Sequence, residues 1–259
     1  MIAQKFFFRD SVPTGPKKHR AYAIGDIHGQ IDLLDRLLAA IKTDIAKQPQ
    51  SKISIIFLGD VVDRGPASAE VVERLRTLSI PGATVHFVMG NHEEVMLRVI
   101  EGEADVLRNW LRFGGSETLH SYGVDPRPLK ALSNDDLAAR MREVIPSQHR
   151  RFLASFSDSI GFGDYVFVHA GIRPGIDLAE QSQADLRWIR EPFLEDTTDH
   201  GFIVVHGHTI ASEVEVTPNR IGIDTGAYNT GTLTALAIDG KKRWLIQTSS
   251  DGERRVPLD

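Results

Sequence analysis

Residues 53–65 read ISIIFLGDVVDRG: a largely apolar run over 53–58 stops at Gly59, then delivers Asp60, Asp63 and Arg64. An apolar run without polar alternation, closed by glycine, reads as a strand buried on both faces. The same arrangement lies on either side. Residues 21–29 (AYAIGDIHG) end in Asp26 and His28, and residues 84–93 (TVHFVMGNHE) end in Asn91, His92 and Glu93. Between the first two runs, Ile31, Leu34, Leu38 and Ile41, with Leu33 and Leu37, recur at helical spacing. Between the second and third, Val71, Val72, Leu75 and Leu78 do the same, with Pro66 near the start and Pro81 and Gly82 at the end. Residues 93–100 continue as a helix. The order β-α-β-α-β-α predicts a parallel sheet with right-handed crossovers.

Residues 102–157 change character. They are helical in pattern and punctuated by Gly114, Gly115, Gly123, Pro126, Pro128 and Pro146, so they read as a helical insertion. Strand patterns return at 165–168, 202–205, 214–217, 221–223, 233–238 and 244–248. The short turns at Pro218 and Asn219 and at Asp239 and Gly240 predict antiparallel pairing there. The expectation is an α/β fold of two β-sheets packed face to face, with helices outside. Its parts are a leader over 1–18, a domain over 19–249 and a tail over 250–259. Phe6, Phe7 and Phe8 read as an edge segment of the leader.

Composition narrows the chemistry. The 259 residues show no internal repeat, and 41% apolar content suits one globular α/β domain. A net charge of −5 gives no basic footprint for nucleic acid. The local runs Lys17, Lys18, His19, Arg20 and Lys241, Lys242, Arg243 read as solvated strand ends. Without cysteine there is no disulfide, thiolate ligand or thiol nucleophile. Any metal falls to His, Asp, Glu or Asn, which suits manganese, iron, zinc or magnesium. No apolar run approaches the ~18 residues of a membrane span, and Arg9 and Asp10 cut the phenylalanine patch short of a signal peptide. A cytoplasmic monomer without nucleic-acid or membrane partners is the expectation.

Ligands of parallel sheets gather beyond the carboxyl ends of the strands. Asp26, His28, Asp60, Asn91, His169 and His208 all follow predicted strands, so they are expected to converge. Six such groups suit a pair of divalent cations, because a carboxylate can bridge two ions and neutral imidazoles complete the shells without added charge.

These ordered clusters, GDIHG, GDVVDRG, GNHE, His169 in HAG and His208 in HGHT, resemble the phosphoprotein phosphatase family. They are most similar to its bacterial and phage branch, within the calcineurin-like metallophosphoesterases. The resemblance runs over about residues 20–240. It implies a metal-dependent hydrolase of phosphomonoesters, a serine/threonine or dual-specificity protein phosphatase acting on phosphorylated protein. It implies two metals, manganese first, with Asp26 and His28 on one, Asp60 bridging, and Asn91, His169 and His208 on the other. It implies attack by a metal-bridging hydroxide, His92 as proton donor, Asp63 as its partner, and Arg64 and Arg190 as phosphate grips.

Two alternatives stand beside it. Symmetric bis(5'-nucleosyl)-tetraphosphate hydrolases are similar, but usually carry Ala at the position of Asp63 and Asp at that of Glu93. An inactive phosphate-binding module would have lost Asp60, Arg64 or His92, and all three are present. Ile210, standing where a second metal histidine would complete Gly-His-x-His, argues against the phosphodiesterase branch. Elsewhere, His206 reads as structural, and Asp224 either as a turn residue or as an acceptor for a ligand histidine. Tyr228 reads as surface. Trp110, Phe113, Trp188 and Phe193 read as packing. His19, His86, His120, His149 and His200 read as structural.

Overall fold

The three early runs form β1 (His19–Ile24), β2 (Lys52–Phe57) and β3 (Ala83–Phe87), paired in parallel in that order. The structure, a computed structural model, describes residues 12–47, 52–125 and 132–258. Strand period 2 splits β1 and β2 between two cores. Tyr22, Ile24, Ile55 and Phe57 point to the helices, while Ala21, Ala23, Ile56 and Leu58 point to a second sheet. On the helical side, α1 (Ile31–Ala46) buries Leu33, Leu34, Leu37, Leu38 and Ile41, and α2 (Ser68–Arg76) buries Val71, Val72 and Leu75. These are the predicted stripes. The third helix, α3 (Asn91–Glu101), starts directly behind β3.

The first sheet is completed by β9 (Leu233–Asp239), β10 (Lys242–Ser249) and β11 (Gly252–Leu258), in the order β11-β10-β9-β1-β2-β3. The second contains β4 (Ser159–Phe162), β5 (Tyr165–Val168), β6 (Ile203–His206), β7 (Glu215–Val216) and β8 (Arg220–Gly222), in the order β4-β5-β6-β8-β7. Tyr165, Phe167, Ile203, Val205 and Ile221 pack against the first sheet. The result is the expected two-sheet α/β architecture. The insertion supplies α4 (Ala104–Trp110), a π-turn over Leu111–Gly115, α5 (Ser116–Ser121) and the helices Asn134–Val144 and Ser147–Leu153. No helix among the described residues is long and apolar enough to cross a membrane.

Three sequence expectations change. Antiparallel pairing holds across both named turns, β7 with β8 and β9 with β10, and for β10 with β11, but β5, β6 and β8 pair with one another in parallel. The stretch between Val168 and Ile203 is long enough to cross over, so a parallel pair is sterically open to it. Residues 252–258, read as tail, pair along β10 as an edge strand. Their side chains are almost all exposed, so no apolar alternation announces them. Residues 12–18 are docked: Gly15 N donates to Gly240 O, and Thr14 N to the Asp164 carboxylate. Phe6, Phe7 and Phe8 lie outside the described residues.

Leu236 on β9 is fully buried between the sheets. Leu236→Ala is expected to cost about 2–5 kcal/mol of unfolding free energy, read from the shift of a urea transition. A cost within about 0.5 kcal/mol, the range of surface substitutions, would contradict the sheet-on-sheet core.

Candidate metal centre

The carboxyl ends of β1, β2, β5 and β6 and the start of α3 meet at one edge of the two sheets. Asp60 lies at the centre, with Oδ2 3.5 Å from His28 Nε2 and Oδ1 3.4 Å from His169 Nε2. Asn91 Oδ1 is 2.9 Å from both His169 Nε2 and His208 Nδ1. His28 and His169 each direct Nδ1 at a backbone carbonyl, Val62 O and Leu58 O, both at 2.7 Å. Nδ1 therefore donates in both, which leaves Nε2, facing Asp60, as the nitrogen available to a metal.

Backbone geometry sets these positions. Six non-glycine residues among those described have positive φ, and five are here: His28 (45°), Asp60 (49°), His208 (63°), Arg64 (67°) and Asp63 (69°). Each such conformation costs on the order of 1–3 kcal/mol and persists where surroundings over-determine it. Glycines allow the close approach. A Cβ at Gly90 would meet Asp60 Oδ1 at 2.3 Å, and one at Gly207 would meet Asp26 Oδ1 at 2.1 Å.

Two groups of three could each hold a divalent ion, with ligand atoms within 4.8 Å: His28, Asp60 and His92, and Asp60, His169 and His208. Asp60 belongs to both. The donor set of buried carboxylate, imidazole and amide oxygens fits two borderline or hard divalent cations. Asp26 is adjacent but outside these groups. Its carboxyl accepts the His208 backbone N–H at 3.2 Å and bonds Asp224. Burial, then the charges of Asp224 and Asp60, hold Asp26 well above the usual carboxylate range. A cation beside it would reverse that shift.

The histidines divide. Burial pushes His28 down to about 3 and His208 to about 2, so both stay neutral and able to bind metal. His92 is pushed up to about 9: burial opposes this, but the Asp60 charge and the Asp63 hydrogen bond outweigh it. His92 Nδ1 donates to Asp63 Oδ2 at 2.7 Å, while Nε2 lies 3.2 Å from Arg64 Nη2. Arg190 Nη2 donates to His208 O at 3.5 Å. All ten predicted site residues thus gather around one centre.

The surroundings hold what the sequence did not announce. Glu93 accepts from the backbone N–H groups of Asp60, Val61, Val62 and Gly90. Asp63 accepts from Trp110 Nε1 at 2.8 Å and Thr118 Oγ1 at 2.6 Å. Trp110 is therefore more than packing. Tyr228, read as surface, keeps an exposed ring but lies against His28 and under the Arg64 guanidinium, 4.7 Å from its centroid. Phe113 and Trp188, also read as packing, are 65% and 40% exposed and line a cavity of about 400 Å³ beside Asn91, His92 and His208. Phe193 is buried against the ring of His206, which is itself buried and structural. Asp224 caps a turn by accepting from Gly226 N and bonds Asp26 rather than a ligand histidine. Only Glu93, next to Asn91 and His92, carried a local signal; the other contacts span long separations in sequence.

Residues 19–233 match the model of the family described as calcineurin-like phosphoesterase. A bis(5'-nucleosyl)-tetraphosphatase PrpE [asymmetrical] of Bacillus subtilis (strain 168) is 27% identical over 232 residues, covering 82% of this chain and 87% of that protein. A symmetrical bis(5'-nucleosyl)-tetraphosphatase of Yersinia pestis (strain Pestoides F) is 39% identical over an aligned length of 287 residues, covering 91% and 94%. A cold-active protein-tyrosine phosphatase of a psychrophilic Shewanella species superposes with a TM-score of 0.61 at 19% identity, over 93% of this chain and 80% of that one. This last likeness is one of fold.

Since Asp60 alone belongs to both groups, Asp60→Asn is expected to lower bound metal at both positions. Elemental analysis of the purified variant beside the wild type checks this; an equal metal content in the two would contradict it.

Proposed function

We propose that this chain, which belongs to the calcineurin-like phosphoesterase family, hydrolyses a dinucleoside polyphosphate. The carrying observation is the cavity that opens on Asn91, His92 and His208. Its lining combines Arg64 and Arg190 with the exposed rings of Phe113 and Trp188. Arg98 also lines it but is committed to Glu94 and Glu103, which leaves the other two arginines for phosphate. A guanidinium matches phosphate oxygens in a bidentate manner. An aromatic ring stacks on a nucleobase for roughly 1–3 kcal/mol. A ligand with a phosphate chain at one end and a base at the other uses both walls. The tetraphosphatase names of the Bacillus and Yersinia relatives support the same substrate class.

Two divalent ions, when bound, supply positive charge against the phosphoryl oxygens and activate a water for in-line attack. Asp26, His28 and Asp60 would hold one, and Asp60, Asn91, His169 and His208 the other. Arg64 and Arg190 bind the oxygens of the transferred group. The water oxygen forms the new P–O bond and gives up a proton to solvent while the bond to the leaving oxygen breaks, leaving its electron pair on that oxygen. His92 delivers its Nε2 proton there, and Asp63 holds the ring through Nδ1–H.

A second reading, phosphomonoester hydrolysis on protein, is favoured by one contact, the 2.7 Å bond between His92 and Asp63. An alkoxide leaving group needs such a proton donor more than a nucleotide phosphate does.

With added manganese, diadenosine tetraphosphate is expected to show a higher kcat/KM than any member of a phosphoserine, phosphothreonine and phosphotyrosine peptide panel. A tenfold preference for a peptide would transfer the function to the second reading. Phe113→Ala should raise KM for the dinucleotide but not for a phosphoserine peptide free of aromatic residues, which has no ring to stack; equal effects on both would remove the stacking role. The rate should fall as pH rises through the His92 pKa. Asp63→Asn removes a group that raises that pKa, so the alkaline limb should move to lower pH. An unmoved limb would argue against His92 as donor.

A further inference from the structure

Residues 110–118, at the heart of the helical insertion, reach back to the turn that carries Asp63 and Arg64. Trp110 Nε1 donates to Asp63 Oδ2 at 2.8 Å, and Thr118 Oγ1 donates to Asp63 Oδ1 at 2.6 Å. The Asp63 backbone N–H returns a bond to Thr118 Oγ1 at 2.9 Å. Arg64 N donates to Gly114 O at 3.2 Å. Glycines bring the backbones this close. A Cβ at Gly114 would lie 2.3 Å from Arg64 N, and one at Gly115 would lie 2.3 Å from the Trp110 ring.

The carboxylate so held is fully buried, so no bulk water competes for its oxygens. It is gripped from two sides, by the last residue of α4 and by a residue inside α5. Two donors on different oxygens fix its rotation as well as its position. Oδ2 also receives His92 Nδ1–H. The angle of the His92 ring is thus set through Asp63 by the insertion. Asp63 and Arg64 both have positive φ, a conformation that needs outside support.

We infer that Trp110 and Thr118 are positioning residues: they lock the Asp63 carboxylate and through it aim the His92 imidazole at the leaving oxygen. The inference rests on His92 being the proton donor. On this view the insertion is a working part of the reaction centre as well as a wall of the cavity. Neither side chain is a ligand type for the metals, and fully buried Thr118 is absent from the cavity lining, so its effect falls on proton delivery; Trp110 also lines the cavity, where Trp110→Phe keeps an aromatic ring and removes only the N–H.

The test compares two leaving groups on the manganese-loaded protein. p-Nitrophenyl phosphate releases a phenolate that needs little protonation, whereas a phosphoserine peptide releases an alkoxide that needs a proton. Thr118→Val keeps the shape and removes the hydroxyl, and Trp110→Phe removes the N–H. Each is expected to lower kcat on the phosphopeptide by roughly tenfold more than on the aryl ester, less than the 10²–10⁴ a whole proton donor contributes. KM should stay within about twofold, and metal content unchanged. Thr118→Ser, which restores the hydroxyl, should recover most of the loss. Equal losses on both substrates, or Thr118→Ser no better than Thr118→Val, would overturn the inference. His92→Asn run in parallel separates the two claims. If it shows leaving-group dependence and the Trp110 and Thr118 variants do not, the lock fails and the donor stands. If His92→Asn loses both substrates equally, the donor reading fails and the lock with it.

Discussion

The centre depends on one buried carboxylate, Glu93, that binds no expected metal. Its two oxygens collect the backbone N–H groups of Asp60, Val61, Val62 and Gly90. That ties the end of β2 to the start of α3. Burying a carboxylate costs several kcal/mol, and hydrogen bonds to a charged group return about 1.5–3 kcal/mol each. Four such bonds offset part of the cost. They hold Asp60 in its positive-φ conformation, with its carboxylate beneath His28, His92 and His169. Burial pushes Glu93 up to about 7. Asp60 goes the other way: burial would raise it, but the surrounding histidines, His169 first, hold it well below the usual range. The two neighbouring carboxyls therefore differ in kind, one a structural clasp and the other a charged acceptor.

From Asp60 the remaining parts follow by short links. His92 N donates to Asp60 Oδ1, which anchors the first turn of α3 and so the ring beside Asp63. Asn91, one residue earlier, reaches His169 and His208 from the second sheet. The sheet-on-sheet core sets the spacing of those two histidines from Asp60.

The sequence exposes what is local. Each early buried run ends in glycine and then in ligand-type residues, so the three early strands and the stripes of α1 and α2 could be named without coordinates; the ten expected site residues came from the ordered clusters together with the family they resemble. What distance creates was hidden. Trp110 and Thr118 meet Asp63 across 47 and 55 positions, and no periodicity encodes that. Tyr228, Phe113 and Trp188 resemble any other surface or packing aromatic until the cavity is seen. The strand β11 shows polar side chains on both faces because it lies at an edge. The parallel pairing of β5, β6 and β8 follows from crossovers that turn residues do not report. The substrate class moved for the same reason. Asp63 and Glu93 favoured protein phosphomonoesters, whereas the aromatic wall and the related proteins favour dinucleoside polyphosphates.

The central claim is that Asp60 is shared by two divalent ions. The direct measurement is anomalous diffraction from crystals grown with manganese. Two peaks are expected, roughly 3.5–4 Å apart, one beside His28 Nε2 and the other beside His169 Nε2, with Asp60 contacting both. A single peak, or peaks that do not touch Asp60, would contradict the account.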